Sequence, residues 1–300
     1  MSVSSRWTLA VFAALASAMP VAVARAQQKV QVGRAVTSTA SLRLFAAVGE
    51  LQVIGWDRDS VDLTGVVQNG SRVESAGGAP GQKATGMKMF VEAPDESGGR
   101  EGKLVLHVPR GARLWLKTGS ANIDVAGLTG GLDLNVVGGS ITVHGNPREL
   151  RAESMDGNVT IDGSPEWLRA KTATGDITMR GGQDVGASTI SGTIRASGGE
   201  VERAKLESTT GAISFYSVLA RGASVELESH SGAIDIFFPA RSDVELDAAT
   251  ITGTIANWWT NVRPAQGSEG RGMTLVTTHG TGGARLVVRT FKGAVQVRGK

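Results

Sequence analysis

The stretches LRAESMDGNVTIDG (150–163) and LRAKTATGDITMRG (168–181) are one phrase written twice, 18 residues apart. Their shared glycine serves as a ruler. It recurs at Gly139, Gly157, Gly175, Gly192, Gly211, Gly232, Gly253 and Gly293, with Ala121 in the same place one repeat earlier. Spacings from Ala121 run 18, 18, 18, 17, 19, 21, 21 and 40 residues. Two residues after the ruler stands a branched apolar residue, as in Ile123, Ile141, Val159, Ile177 and Ile194. Seven and five residues before it lies a second apolar pair, as in Leu114/Leu116, Leu132/Leu134, Leu150/Ala152 and Leu168/Ala170. Each pair has the period-2 spacing of a strand with one buried face.

A unit therefore splits into two halves, each a short strand and a turn. Neither half can bury its apolar face alone, so the units must stack. The expected fold is all-β: a single-domain, parallel two-sheet β-solenoid with about 18 residues per rung. It is expected to be right-handed, the hand that parallel crossovers prefer. A three-sided hexapeptide solenoid would place inward residues every six positions, which this chain does not. Ser or Thr stands three residues before the ruler in most repeats (Thr118, Ser154, Thr172, Thr189, Ser208, Ser229, Thr250, Thr290). Such a file predicts hydroxyls that cap turn amides and bond rung to rung.

Residues 1–26 read as a secretory signal peptide: Arg6, the apolar run from Trp7, and Ala24-Arg25-Ala26 before Gln27. Export is the expectation, to the periplasm, cell surface or medium. With no cysteine the chain has neither disulfides nor a lipidated cysteine. Removing the signal leaves 29 Lys+Arg against 28 Asp+Glu, with no basic cluster, so nucleic acid is not an expected partner. No further apolar run reaches the ~20 residues of a membrane span. Residues 27–113 read as N-terminal strands, a first rung at SLRLFAAVGELQVIGWD (41–57) and a hairpin from MKMFVEA and KLVLHVP. Residues 114–300 carry the regular repeats, with a loop insertion at 257–272.

The phrase GELQVIGWD (49–57), the transition VPRGARLWLKTGSANIDV (108–125) and the repeated [ST]-x-x-G-x-[IV]-x-[IV]-x-G resemble the bacterial putative-adhesin family, a domain of unknown function. The resemblance covers residues 36–298 and implies a β-solenoid, with no catalytic residues to carry over. Related domains occur in envelope-stress proteins, which implies a sensing scaffold as another role.

Nucleophile elbows, P-loops and paired metal-ligand motifs are absent from the sequence, and the four histidines share no spacing. Asp156-Gly157-Asn158 and Thr174-Gly175-Asp176 resemble calcium β-roll turns, but the Gly-Asp turn does not recur in consecutive half-repeats. No catalytic residue, cofactor or metal is therefore assigned. Outward positions predict a basic area (Arg151, Arg169, Lys171) and an acidic one (Glu207, Glu226, Glu228, Glu245, Asp247) on one sheet. Trp258 and Trp259 would either stack on a ligand or plug the open end. Trp258, Trp259, Arg151, Arg169 and Lys171 are the candidate ligand-binding residues.

The expected function is a non-catalytic adhesin, ligand-binding or structural protein of the bacterial envelope or surface. Its expected partners are surface glycans or envelope proteins, or further copies joined end to end at exposed strand edges. The alternatives are a carbohydrate-active enzyme, lyase or hydrolase, on the same scaffold and an envelope-stress sensing scaffold.

Overall fold

The computed structural model of the chain describes residues 27–95, 99–239, 242–267 and 270–299. The expected signal segment, 1–26, lies outside the described residues. Every regular element among the described residues is a β-strand, and hydrogen bonds join the strands into one 24-stranded sheet. Pairing is parallel except near the two ends.

The repeat dictates two series of ladders. In the first, Arg113–Thr118, Gly131–Val136, Glu149–Ser154 and Trp167–Thr172 pair in turn, with Leu114, Leu132, Leu150 and Leu168 aligned. In the second, Asn122–Ala126, Ile141–His144, Val159–Asp162 and Ile177–Arg180 align Ile123, Ile141, Val159 and Ile177. All eight of these side chains are buried, as period-2 patterning requires. The series are not separate sheets by hydrogen bonding. Ile194–Ser208 and Ile213–Ser229 each run through the corner between the series, and their corner residues Glu200 and Val201 pair with Val218 and Leu219.

Two glycine files turn the corners for different reasons. A Cβ at Gly157, Gly175, Gly192, Gly211 or Gly232 would overlap the carbonyl oxygen of the ruler glycine one rung before. None of the five has a positive φ, so close backbone approach alone excludes a side chain. At the opposite corner Gly145 and Gly181 have φ of 124° and 101°, where glycine's freedom is the requirement. The hydroxyl file does what its position predicts. Thr172 Oγ1 accepts from the Gly175 amide at 3.0 Å and donates to the Gly157 carbonyl at 3.2 Å. Ser154 repeats this with Gly157 and Gly139, at 2.9 Å each.

The ends depart from the sequence reading. The hairpin expected from MKMFVEA and KLVLHVP is absent. Ala84–Glu92 pairs with the Ser41–Ala46 stretch in the first series, whereas Lys103–Pro109 pairs with Glu50–Trp56 in the second. The two strands form a rung of their own, outside the one that contains Gly49. At the other end Ala284–Thr290 inserts between Ile213–Ser229 and Val244–Thr250, so the Gly293 rung lies inside the Gly253 rung. Antiparallel strands cover both halves of the outermost rung at one end, Arg72–Ala76 and Ser60–Gln68. At the other Met273–His279 covers Val244–Thr250, while Ile255–Asn257 pairs on one side only among the described residues. The 257–272 insertion also carries a short strand, Ala265–Gln266, paired to Met273–His279.

Gly175→Ala should cost about 1–3 kcal/mol or more, through overlap with the backbone of the rung before. Gly119→Ala, whose Cβ would meet nothing within 4 Å, should stay within about 0.5 kcal/mol of wild type. Thermal unfolding of the two variants checks this. Equal losses would remove close approach as the reason for the glycine file.

Candidate functional site

Strands with one face buried leave the other face free, and here that face is divided by charge. On the strands from Ala84–Glu92 to Trp167–Thr172, Lys88, Arg43, Arg113, Lys117, Arg151, Arg169 and Lys171 stand against Asp133, Glu149 and Glu153. Further along, Asp184, Glu207, Glu226, Glu228, Glu245 and Asp247 outnumber Arg203, Lys205, Arg285 and Arg289.

The candidate residues fall in two places. Arg151 and Arg169 are register neighbours on this face, and Lys171 stands opposite Glu153. Arg151 Nη2 lies 2.7 Å from Glu153 Oε1. Arg169 holds Asp184 at 2.9 Å and spreads its guanidinium 4.5 Å above the Trp167 ring. Lys171 is exposed and makes no ion pair among the described residues. The tryptophan pair is split. Trp258 is 62% exposed, with the Arg298 guanidinium 5.4 Å from its ring. Trp259 is half-buried, its ring 4.1 Å from that of fully buried Phe238 and 5.3 Å from His279.

Three of the open grooves on the face bear on the candidates. One, of about 530 Å³, is lined by Lys117, Asn135, Arg151, Glu153 and Lys171. A second, of about 590 Å³, is lined by Phe45, Trp115 and Trp167 with Arg43, Arg113, Arg151, Asp133 and Glu149. The third, of about 680 Å³, lies over the hydroxyl file beside Glu207, Glu228, His230 and Phe291. The largest groove is a weaker binding candidate, because several hydroxyls along its floor already cap turn amides.

Sequence reasoning singled out neither Trp115 nor Trp167 as a site. Their signal was their outward placement, six and eight residues before the ruler. It also missed a file two residues before the ruler at one corner, where Val137, Met155, Ile190, Ile251 and Phe291 are all exposed. Such residues cannot reach the core, because the corner turns them outward.

Among the described residues no group of three or more His, Asp or Glu could hold a metal. Asp176, in the turn that resembled a calcium site, is otherwise engaged. It accepts from the Thr193 amide at 2.8 Å and pairs with Arg195 at 3.0 Å, which together hold its carboxyl below the usual range. No described helix is long and apolar enough to cross a membrane.

Fold and face together define a strand-stacked repeat protein whose open side is a charged and aromatic surface. The family described as Toastrack DUF4097 matches residues 49–298, and the chain belongs to that family. No curated protein matches the sequence. Among solved structures, the chain is similar to a putative adhesin from Bacteroides fragilis at 11% identity and TM-score 0.45, covering 92% of this chain and 99% of that one. It is also similar to a putative cell adhesion protein from Clostridium sporogenes, at 9% identity and TM-score 0.23, covering 91% and 100%. A putative lipid binding protein from Parabacteroides distasonis follows at 11% and 0.41, covering 91% and 96%. Likenesses this distant carry no argument about function.

Two carboxylates on the face titrate in opposite senses. Burial opposes the charge on Asp184, yet the guanidiniums of Arg203 and Arg169 outweigh it and hold the carboxyl below the usual range. Its contribution is present above the ordinary aspartate value and lost as pH falls through the depressed one. Burial and then the charge of Glu226 push Glu228 up. In that window the folded chain keeps a proton the unfolded chain has lost, so stability falls as pH rises. Asp184→Asn should therefore cost about 1–3 kcal/mol at neutral pH, a loss that shrinks as pH falls below the ordinary aspartate range. Glu228→Gln should gain up to about 1 kcal/mol at neutral pH by removing like-charge repulsion and nothing in acid. Unfolding curves across pH read both.

Proposed function

We propose that the chain is an exported, non-catalytic adhesin or ligand-binding protein of the bacterial envelope or surface, acting through its outward strand face. In this reading residues 1–26 are a cleaved signal, and the rest is one right-handed β-solenoid of two facing strand series with rungs of about 18 residues. The observation that carries it is the grouping of Arg151, Arg169 and Lys171 beside exposed aromatic rings and open grooves, on a face the core does not need. Clustered Arg and Trp at one place are the composition of a recognition surface rather than of a plain solvated one. Trp258 is a second contact on the insertion loop, whereas Trp259 belongs to the packing of the end. Surface glycans and envelope proteins are the partners in this reading.

A screen of residues 27–300 against whole cells and a glycan array tests it. Binding should weaken at least about tenfold when Arg151, Arg169 and Lys171 are all changed to Ala, and less in Trp258→Ala. A folded wild-type protein that binds nothing would refute the reading.

One observation favours a second reading, a polysaccharide-cleaving enzyme: Glu228, with its raised pKa, stands opposite Glu207 in register beside the largest groove. Two carboxyls facing each other beside a groove, one pushed above the usual carboxylate range by burial and by Glu226, are the kind of pair acid–base glycoside cleavage uses. Reducing ends released by wild type but not by Glu228→Gln would establish the enzyme. No release would leave the binding protein.

A further inference from the structure

We propose that the groove between Trp115 and Trp167 binds an acidic oligosaccharide, a sugar chain bearing carboxylates; the proposal rests on the outward face being a recognition surface. The two tryptophans stand on strands three steps apart in the ladder. At ~4.8 Å per strand that is roughly 14 Å, a span that a few pyranose rings in an extended chain would cover. Between them the ladder places Gly131, aligned with Glu149 and then Trp167. The Arg113 side chain lies over Gly131, 3.2 Å from where a Cβ would stand, and walls a groove whose volume of about 590 Å³ suits a small ligand.

Both rings are held rigid before any ligand arrives. Trp115 meets the Phe45 ring edge-on at 4.8 Å, and Phe45 in turn stacks on Phe90 at 4.9 Å. Trp167 carries the Arg169 guanidinium at 4.5 Å. Rigid aromatic surfaces beside hydrogen-bonding groups suit pyranose rings, which present an apolar face and a rim of hydroxyls. Rings fixed in advance also lower the ordering cost of binding.

The charges give the ligand its sign. Arg113 is matched to Glu149 over Gly131 at 3.7 Å, and Arg151 to Glu153. Arg43, exposed beside Trp115 in register, makes no ion pair among the described residues. A planar guanidinium with free donors is the group that best takes up a carboxylate. Asp133 also lines the groove, accepting from Asn135 at 2.6 Å. The sign therefore comes from the surrounding face, where Lys88, Lys117 and Lys171 join the arginines. The acidic half of a second copy would also complement this surface, and a dimer is one outcome of the test.

The test is calorimetric titration of residues 27–300 with an oligogalacturonate and with the same oligosaccharide after carboxyl reduction. The acidic chain should bind, the reduced one at least about tenfold more weakly, and added salt should weaken the acidic complex. Three variants locate the site: Trp167→Ala, Arg43→Ala and Gly131→Gln. The last crowds the Arg113 side chain that walls the groove, which would lie 3.2 Å from the new Cβ. Each should lose at least about tenfold in affinity at unchanged melting temperature. Should Trp167→Ala fold poorly, the other two still decide. Unchanged affinity in Gly131→Gln and Arg43→Ala overturns the groove, as does a dimer that these variants dissolve. Cell binding that survives all three variants overturns the groove and leaves the recognition face standing. Absence of any cell or glycan binding in wild type overturns both.

Discussion

Each rung rests on the one before through a backbone contact that leaves no space for a β-carbon. At the ruler corner the chain passes so near the preceding carbonyl that only glycine fits, from Gly157 through Gly232. Within the same turn a hydroxyl three residues earlier takes the glycine amide and returns its own proton to the preceding rung, as Thr172 and Ser154 do. The corner thus fixes spacing and register together. Once Gly175 is seated on Gly157, Leu168 must lie over Leu150 and Ile177 over Val159. A one-residue slip would turn every inward side chain outward.

This division of labour frees the outer face. Inward positions are apolar and buried, and corner positions are glycine or hydroxyl, so the outward files carry whatever selection beyond folding demands. Exposed ion pairs contribute little to stability, and some of the charges there work against it. Glu228 faces Glu226 and Glu207 at a cost seen in its raised pKa. Asp184 is different: only 16% exposed, it ties Arg169 and Arg203 across three strands. A face that keeps both a stabilising triad and an internal repulsion is not arranged for stability alone. Its separation into a basic, aromatic half and an acidic half fits selection by a partner.

The regular part of the chain was legible because its signals are local. The inward pairs, the ruler and the hydroxyl file repeat within one turn, and each corresponds to one physical requirement. What stayed hidden involves which strand meets which across a long or irregular connection. A 40-residue spacing between Gly253 and Gly293 does not say that the later rung slips inside the earlier one. MKMFVEA and KLVLHVP look like a hairpin because their linker is short and glycine-rich, yet both already have parallel partners. The adjacency of Trp258 and Trp259 suggested one role for two residues, whereas Asn257 turns the chain so that Trp259 packs inward on Phe238. Trp115 and Trp167 sit at different offsets from the ruler, so their shared groove emerges only when the rungs are stacked.

The ends bear on which surfaces of the stack stay open. An open stack of parallel strands invites another chain at each terminal edge. Here the same device covers most of both ends: the chain reverses, tucks its terminal rung one place inward, and lays an antiparallel strand over the outermost rung. At one end Trp259 and His279 add a ring contact over Phe238, with His279 Nδ1 2.6 Å from the Ser242 carbonyl. Closure of this kind works against the end-to-end growth that bare edges would favour. With the core sealed and most of the end edges paired, the broad surfaces left open are the outward face and the exposed apolar corner beside it. The rings and unpaired cations of that face run from the closed end at Arg43 and Phe45 into the regular rungs at Trp167 and Lys171.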